Sequence, residues 1–147
     1  MSERVFLDTN VLLYADDLDA GKKRARAQEL LGQLIAESRA VLSTQVLSEF
    51  FVNATRKLGV PPAIARKKLE LLMRLEVVPI RPDLILGAVD LHRLHGLSFW
   101  DALVLRSAAA AGCARLLSED LSHGQVIDGV RIENPFADLR PPTRRRE

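Results

Sequence analysis

The sequence predicts an α/β fold of three layers, with helices on both faces of a mostly parallel central sheet. Two observations carry this reading. Short apolar runs of strand character alternate along the chain with longer amphipathic stretches, the pattern of β–α–β crossovers. No linker and no internal repeat interrupts that alternation. The 147 residues, 48% hydrophobic and 27% charged, therefore read as one ordinary globular domain over 1–139, followed by a tail.

The elements follow in order. "RVFL" (4–7) is a short buried strand. "GKKRARAQELLGQLIAE" (21–37) is an amphipathic helix, with Leu30, Leu31, Leu34 and Ile35 at helical spacing. "AVLS" (40–43) is a second strand. Residues 44–59 form a helix with Thr44 as N-cap and Gly59 just past its end. Pro61 and Pro62 start another, running to about Leu75. "VVPI" (77–80) is a strand that Pro79 places at a sheet edge. Pro82 and Asp83 open a helix that Gly96 ends after His95, and Ser98 caps the strongly apolar helix 99–112. "ARLLS" (114–118) and "GVRIENPF" (129–136) supply the last strands.

Composition narrows the function classes. No stretch approaches the roughly 20 apolar residues of a membrane span, and the start does not read as a signal peptide. The single Cys113 excludes an internal disulfide and a cysteine-based zinc site; in its apolar setting it reads as a small core residue, consistent with the cytoplasm. Residues 140–147, "RPPTRRRE", carry a net +3, which leaves −1 on the rest of a chain whose formal charge is +2. The tail is expected to be disordered, and reads either as a contact for nucleic acid or an acidic partner or as a solubilising end.

Four acids then stand out. Asp8 follows the first strand directly, and "LLSED" (116–120) repeats that arrangement with Ser118, Glu119 and Asp120. Glu49 lies inside the helix 44–59, on the face of Gln45, Asn53 and Arg56, opposite Val46, Leu47 and Phe50. Asp101 sits in the first turn of its helix, three residues after Ser98, in capping-box spacing. Taken singly, Asp8 and Asp120 are turn formers, Glu49 belongs to a solvated face, and Asp101 is a cap. Taken together, carboxylates without matched Lys or Arg repel one another unless cations lie between them. Oxygen-only ligands suit hard divalent ions such as Mg²⁺ or Mn²⁺, and metal-held acids serve phosphodiester cleavage.

The ordered set "FLDTN", "LSEFF", "SFWDALV" and "LLSED" resembles the PIN domain, and within it the VapC-type toxins of type II toxin–antitoxin systems. The resemblance runs from residue 4 to about Phe136 and includes the closing "IDGVRIENPF". It implies a Mg²⁺- or Mn²⁺-dependent endoribonuclease that cuts tRNA or rRNA, a cognate VapB-like antitoxin that blocks the site, and a homodimer. By residue, it implies that Asp8 and Asp101 hold the metal most directly and that Glu49 and Asp120 complete the quartet. Glu119 is the alternative to Asp120. Thr9, Asn10 and Ser118 match positions that orient the acids.

Other features carry lesser expectations. Lys22, Lys23, Arg24 and Arg26 read as a solvated helix face or as phosphate contacts for RNA, with Arg66, Lys67 and Lys68 as further candidates. His92 and His95 read as helix surface or dimer contact, and Trp100 as core packing with base stacking as the alternative. Phe50, Phe51, Leu69, Leu72 and Met73 fit either a dimer seam or the internal core. Rival readings fit less well. A haloacid dehalogenase-type phosphatase has a second acid where this chain has Asn10. A receiver domain needs an acidic pair and a late Lys that are not evident. A housekeeping PIN nuclease or a non-catalytic PIN-fold binding module remains open.

Overall fold

The computed structural model describes residues 3–139; the expectation for the 140–147 tail lies outside them. The elements are β1 (Val5–Leu7), α1 (Thr9–Asp16), α2 (Lys22–Ala36), β2 (Ala40–Ser43), α3 (Thr44–Arg56), α4 (Pro62–Leu72), β3 (Glu76–Val78), α5 (Pro82–His95), α6 (Phe99–Ala110), β4 (Arg115–Leu117), β5 (Val126–Ile127) and β6 (Val130–Glu133), with a 3-10 turn at Ala137–Leu139.

The sheet order is β3-β2-β1-β4-β6-β5, parallel except for the β5–β6 pair. Every residue of β1 and β2 is buried, which is why these central strands read as unbroken apolar runs. β3 lies at one edge, as Pro79 predicts, with Glu76 exposed. The chain moves from β1 to β2 to β3 in one direction, then returns across the sheet to β4. Right-handed crossovers therefore put α1–α4 on one face and the paired α5 and α6 on the other. This is the three-layer α/β/α arrangement. Among the described residues, no helix is long and apolar enough to cross a membrane.

Several details differ from the sequence reading. Helix α1 has no counterpart there. Its eight residues, buried at Thr9, Val11, Leu12, Leu13 and Ala15, are too few and too evenly apolar to show a helical period. The short β5 is likewise additional. α3 is capped by Ser43, not Thr44: Ser43 Oγ accepts from the Val46 N–H at 3.2 Å. Thr44 Oγ1 instead accepts from the Ile80 N–H at 3.1 Å, tying α3 to the chain leaving β3. Ser43→Ala is expected to lower stability by about 1 kcal/mol, read as a shift in urea midpoint at unchanged slope.

Gly96 ends α5 in the left-handed region (φ 69°), a conformation that favours glycine. His92 Nδ1 lies 2.5 Å from Leu97 O, close to that helix end, and His95 is exposed. Cys113 is buried, and burial pushes its thiol up to about 11. The candidate dimer seam divides: Phe50 and Leu72 enter the core, whereas Met73 is exposed. Trp100 does not pack in the core. It is 60% exposed.

Candidate active site

In an open parallel sheet, side chains gather where neighbouring crossovers leave in opposite directions. Here that switch point lies between β1, which feeds leftward to β2, and β4, which feeds rightward to β6. Asp8 leaves the end of β1 and Ser118 the end of β4, with the Asp8 N–H still bonded to Leu117 O at 3.0 Å. Asp8 thus closes a strand and caps a helix at once: its Oδ1 accepts from the Thr9 N–H at 2.8 Å at the head of α1.

Neighbouring polar residues hold the acids in place. Ser118 Oγ donates to Asp8 Oδ2 at 2.7 Å. Thr9 Oγ1 donates to Glu49 Oε1 at 2.8 Å, and Gln45 Nε2 to Glu49 Oε2 at 3.2 Å. Asn10 Nδ2 donates to Asp120 Oδ2 at 2.9 Å, and the Asp120 N–H bonds Ser118 Oγ at 3.2 Å. The Asp101 N–H bonds Ser98 Oγ at 3.1 Å, so the predicted capping-box spacing sets the first turn of α6 and the position of Asp101. The result is a cleft of about 220 Å³ lined by Asp8, Glu49, Asp101 and Asp120 together with Thr9, Asn10, Gln45, Asn53, Lys57, Trp100 and Val104.

The cleft is electrostatically costly. Burial pushes the Asp8 carboxyl up to about 6; its bonds to Ser118 and Thr9 oppose the shift, and Asp120 and Glu49 add to it. Burial also raises Asp101, against the Ser98 bond and with repulsion from Asp120 and Glu49. The one cation lining the cleft among the described residues is the exposed Lys57. Lys57 is absent from the sequence-predicted site. Its signal is a four-residue period: Gln45, Glu49, Asn53 and Lys57 make one stripe along α3 and its C-cap.

Glu119 and Asp120 diverge despite being adjacent. Asp120 lines the cleft. The Glu119 carboxylate accepts from Tyr14 OH and from Lys23 Nζ, each at 2.5 Å, and Lys23 Nζ lies 4.9 Å over the Tyr14 ring. Of the candidate RNA-binding cluster, Lys23 is thus committed to Glu119. Arg26 donates to Pro135 O at 2.7 Å and makes a bidentate pair of hydrogen bonds to Asp138 at 3.0 and 3.1 Å. Arg24 Nε is buried without a partner among the described residues. Lys22 is exposed, as are Arg66 and Lys67; Lys68 pairs with Asp16 at 2.9 Å.

As placed, no three Asp, Glu, His or Cys side chains among the described residues stand close enough together to hold an ion. The chemistry of the donors nevertheless fits a hard divalent cation: four carboxylates line one cleft, no sulfur or imidazole lines it, and a single exposed Lys offsets their charge.

Fold and cleft together define a class: three-layer α/β proteins that gather carboxylates at the switch point of a parallel sheet. The chain belongs to the PIN domain family, whose model matches residues 5–126. The match ends at Val126, before the whole of the closing "IDGVRIENPF" that the sequence resemblance included. Comparison with curated proteins gives no match. Among solved structures, the chain is similar to the Mycobacterium tuberculosis toxin VapC20, described as cleaving the sarcin–ricin loop, at 21% identity and TM-score 0.64, over 79% of this chain and 91% of that one. It is similar to a chain of a toxin–antitoxin complex from Klebsiella pneumoniae at 22% identity and TM-score 0.64, over 89% and 97%. It also resembles a chain of the DNA-bound VapBC complex from Salmonella typhimurium at 21% identity and TM-score 0.65, over 91% and 99%.

Proposed function

We propose that this chain is a Mg²⁺- or Mn²⁺-dependent endoribonuclease that acts in the cytoplasm as the toxin of a type II toxin–antitoxin pair, cutting structured RNA such as tRNA or rRNA. The observation that carries the reading is the convergence of Asp8, Glu49, Asp101 and Asp120 on one cleft from β1, α3, α6 and the loop after β4. Membership of the PIN family and likeness to chains of VapC toxins and toxin–antitoxin complexes support it. They also support a VapB-like antitoxin as partner. Exposed Leu86 and Val89 on α5 support a homodimer.

In this reading Asp8 and Asp101 hold the metal most directly, with Glu49 and Asp120 completing the set. A divalent ion, when bound there, supplies acidity to a water and positive charge to the phosphate oxygens. The chain's own residues do the rest. Glu49, fixed at both oxygens by Thr9 and Gln45, orients the attacking water or accepts its proton. Asp120 is held in the same cleft by Asn10. Lys57 at the open rim brings positive charge to the phosphate backbone.

Brief expression followed by sequencing of RNA 5′ ends tests the proposal. New ends are expected at one or a few sites in tRNA or rRNA, together with growth arrest relieved by the co-expressed antitoxin. Ends that also accumulate with Asp8→Asn would exclude the assignment.

A further inference from the structure

A second cavity adjoins the acidic cleft. It measures about 640 Å³ and is walled by Val52, Ile80, Ile85, Phe99, Trp100 and Leu103. The two spaces share Gln45, Glu49, Asn53 and Trp100 as a common wall. A polynucleotide whose phosphate lies among the carboxylates thus has the apolar space within reach of an adjacent nucleoside.

Two features of that wall are unexplained by the chemistry of the cleft. The Trp100 indole is largely in water, braced edge-on by Phe99 at 5.1 Å between centroids and 78° between planes. A large aromatic surface left exposed beside a reactive cleft is a stacking platform in waiting. Gln45, by contrast, is only 9% exposed. Its Nε2 donates to Glu49 Oε2 and to Trp100 O, both at 3.2 Å. Turning the amide over would set oxygen against both acceptors, so these bonds fix the orientation. Gln45 Oε1 is thereby left buried and without a donor among the described residues. An acceptor stranded in this way calls for an incoming N–H.

We infer that the cavity receives the nucleobase next to the scissile phosphate, its face stacked on Trp100 and an N–H of its edge turned toward Gln45 Oε1. The inference rests on the nuclease reading above. Every base offers both a π-face and a ring or exocyclic N–H, and being uncharged it is not repelled by Glu49 as a phosphate or an acidic peptide is. Stacking tolerates any base, so Trp100 sets how the strand lies, and Gln45 favours bases that present a donor on the inner edge.

Trp100 is the chain's single tryptophan, so its emission reports on this wall alone. The experiment takes the full chain with Ca²⁺ as the only divalent ion. It adds end-labelled oligoribonucleotides that span the mapped cleavage site, intact or abasic at either flanking position, and follows anisotropy of the label alongside tryptophan emission. Binding is expected to quench Trp100. One of the two abasic probes loses the quenching and binds about 10-fold more weakly. In cleavage assays with Mg²⁺, Trp100→Ala raises KM about 10-fold with kcat little changed, and Trp100→Phe recovers most of the loss. Anisotropy that reports tight binding without quenching, together with an unchanged KM for Trp100→Ala, overturns the inference while leaving the nuclease reading intact. If Trp100→Ala instead weakens inhibition by the antitoxin and leaves KM unchanged, the cavity belongs to a protein partner and the inference falls. If no oligonucleotide binds or is cut, the nuclease reading falls first and the inference with it.

Discussion

Asp8→Asn is expected to abolish RNA cleavage, lowering kcat/KM on the order of 10³-fold, while making the protein harder to unfold. The loss follows from Asp8's place among the four acids of the cleft. The gain follows from burial. Asp8 is 6% exposed, and its carboxyl is pushed up to about 6 from an ordinary 3.8. Between those two values the folded chain keeps a proton that the unfolded chain has released. Stability therefore falls as pH rises from about 4 to about 6, and the full cost is present at neutral pH. That cost is on the order of 3 kcal/mol, at about 1.4 kcal/mol per unit.

An uncharged amide avoids it. The Asn oxygen still accepts from the Thr9 N–H, and the amide nitrogen faces a Ser118 hydroxyl that can turn to accept. In EDTA the variant should melt above the wild type, by a wider margin at pH 8 than at pH 5. Activity is measured on RNA in parallel, at saturating Mg²⁺ or Mn²⁺. A variant that cuts at the wild-type rate would remove Asp8 from the mechanism. Equal melting temperatures at pH 8 would mean that the carboxylate is stabilised by the fold rather than endured by it.

The parts legible in the sequence were those whose signals are local. A buried strand followed by an acid marks the carboxyl edge at Asp8, and the same pattern marks Ser118–Asp120. Ser98 and Asp101 display their cap in four letters. What stayed hidden depends on contacts between distant segments. Helix α1 exists because Asp8 caps it and the layer between sheet and α2 buries it, neither of which shows in "TNVLLYAD". The charge run at 22–26 gives no hint that Lys23 meets Glu119 and Arg26 meets Asp138, residues about a hundred positions away. Trp100 lies next to the apolar face of α6 by periodicity, which does not reveal that it is left exposed. Lys57 escaped because its stripe begins with uncharged Gln45 and runs past the end of the helix.

The largest loss of stability is expected at Phe136, beyond the stretch matched by the family model. Phe136 is 1% exposed and meets Tyr14 edge-on at 5.1 Å and 84°. The Asn134 side chain fixes its approach by accepting from the Phe136 N–H at 2.9 Å. Phe136→Ala should cost about 3–5 kcal/mol, a large share of the 5–15 kcal/mol typical of a domain. Arg26→Ala removes the neighbouring Asp138 pair and the bond to Pro135 O, yet that pair is largely in water, where ion pairs contribute little. Its urea midpoint should move far less. Comparing the two variants decides whether residues 134–139 are held down by packing or by charge. The Phe136 variant also loosens Tyr14, whose hydroxyl holds Glu119 beside Asp120. Measured where both proteins are folded, kcat should therefore fall for Phe136→Ala and stay near wild type for Phe136→Leu, which keeps most of the volume. A kcat that is equal for all three would separate the clamp on Glu119 from the positioning of Asp120.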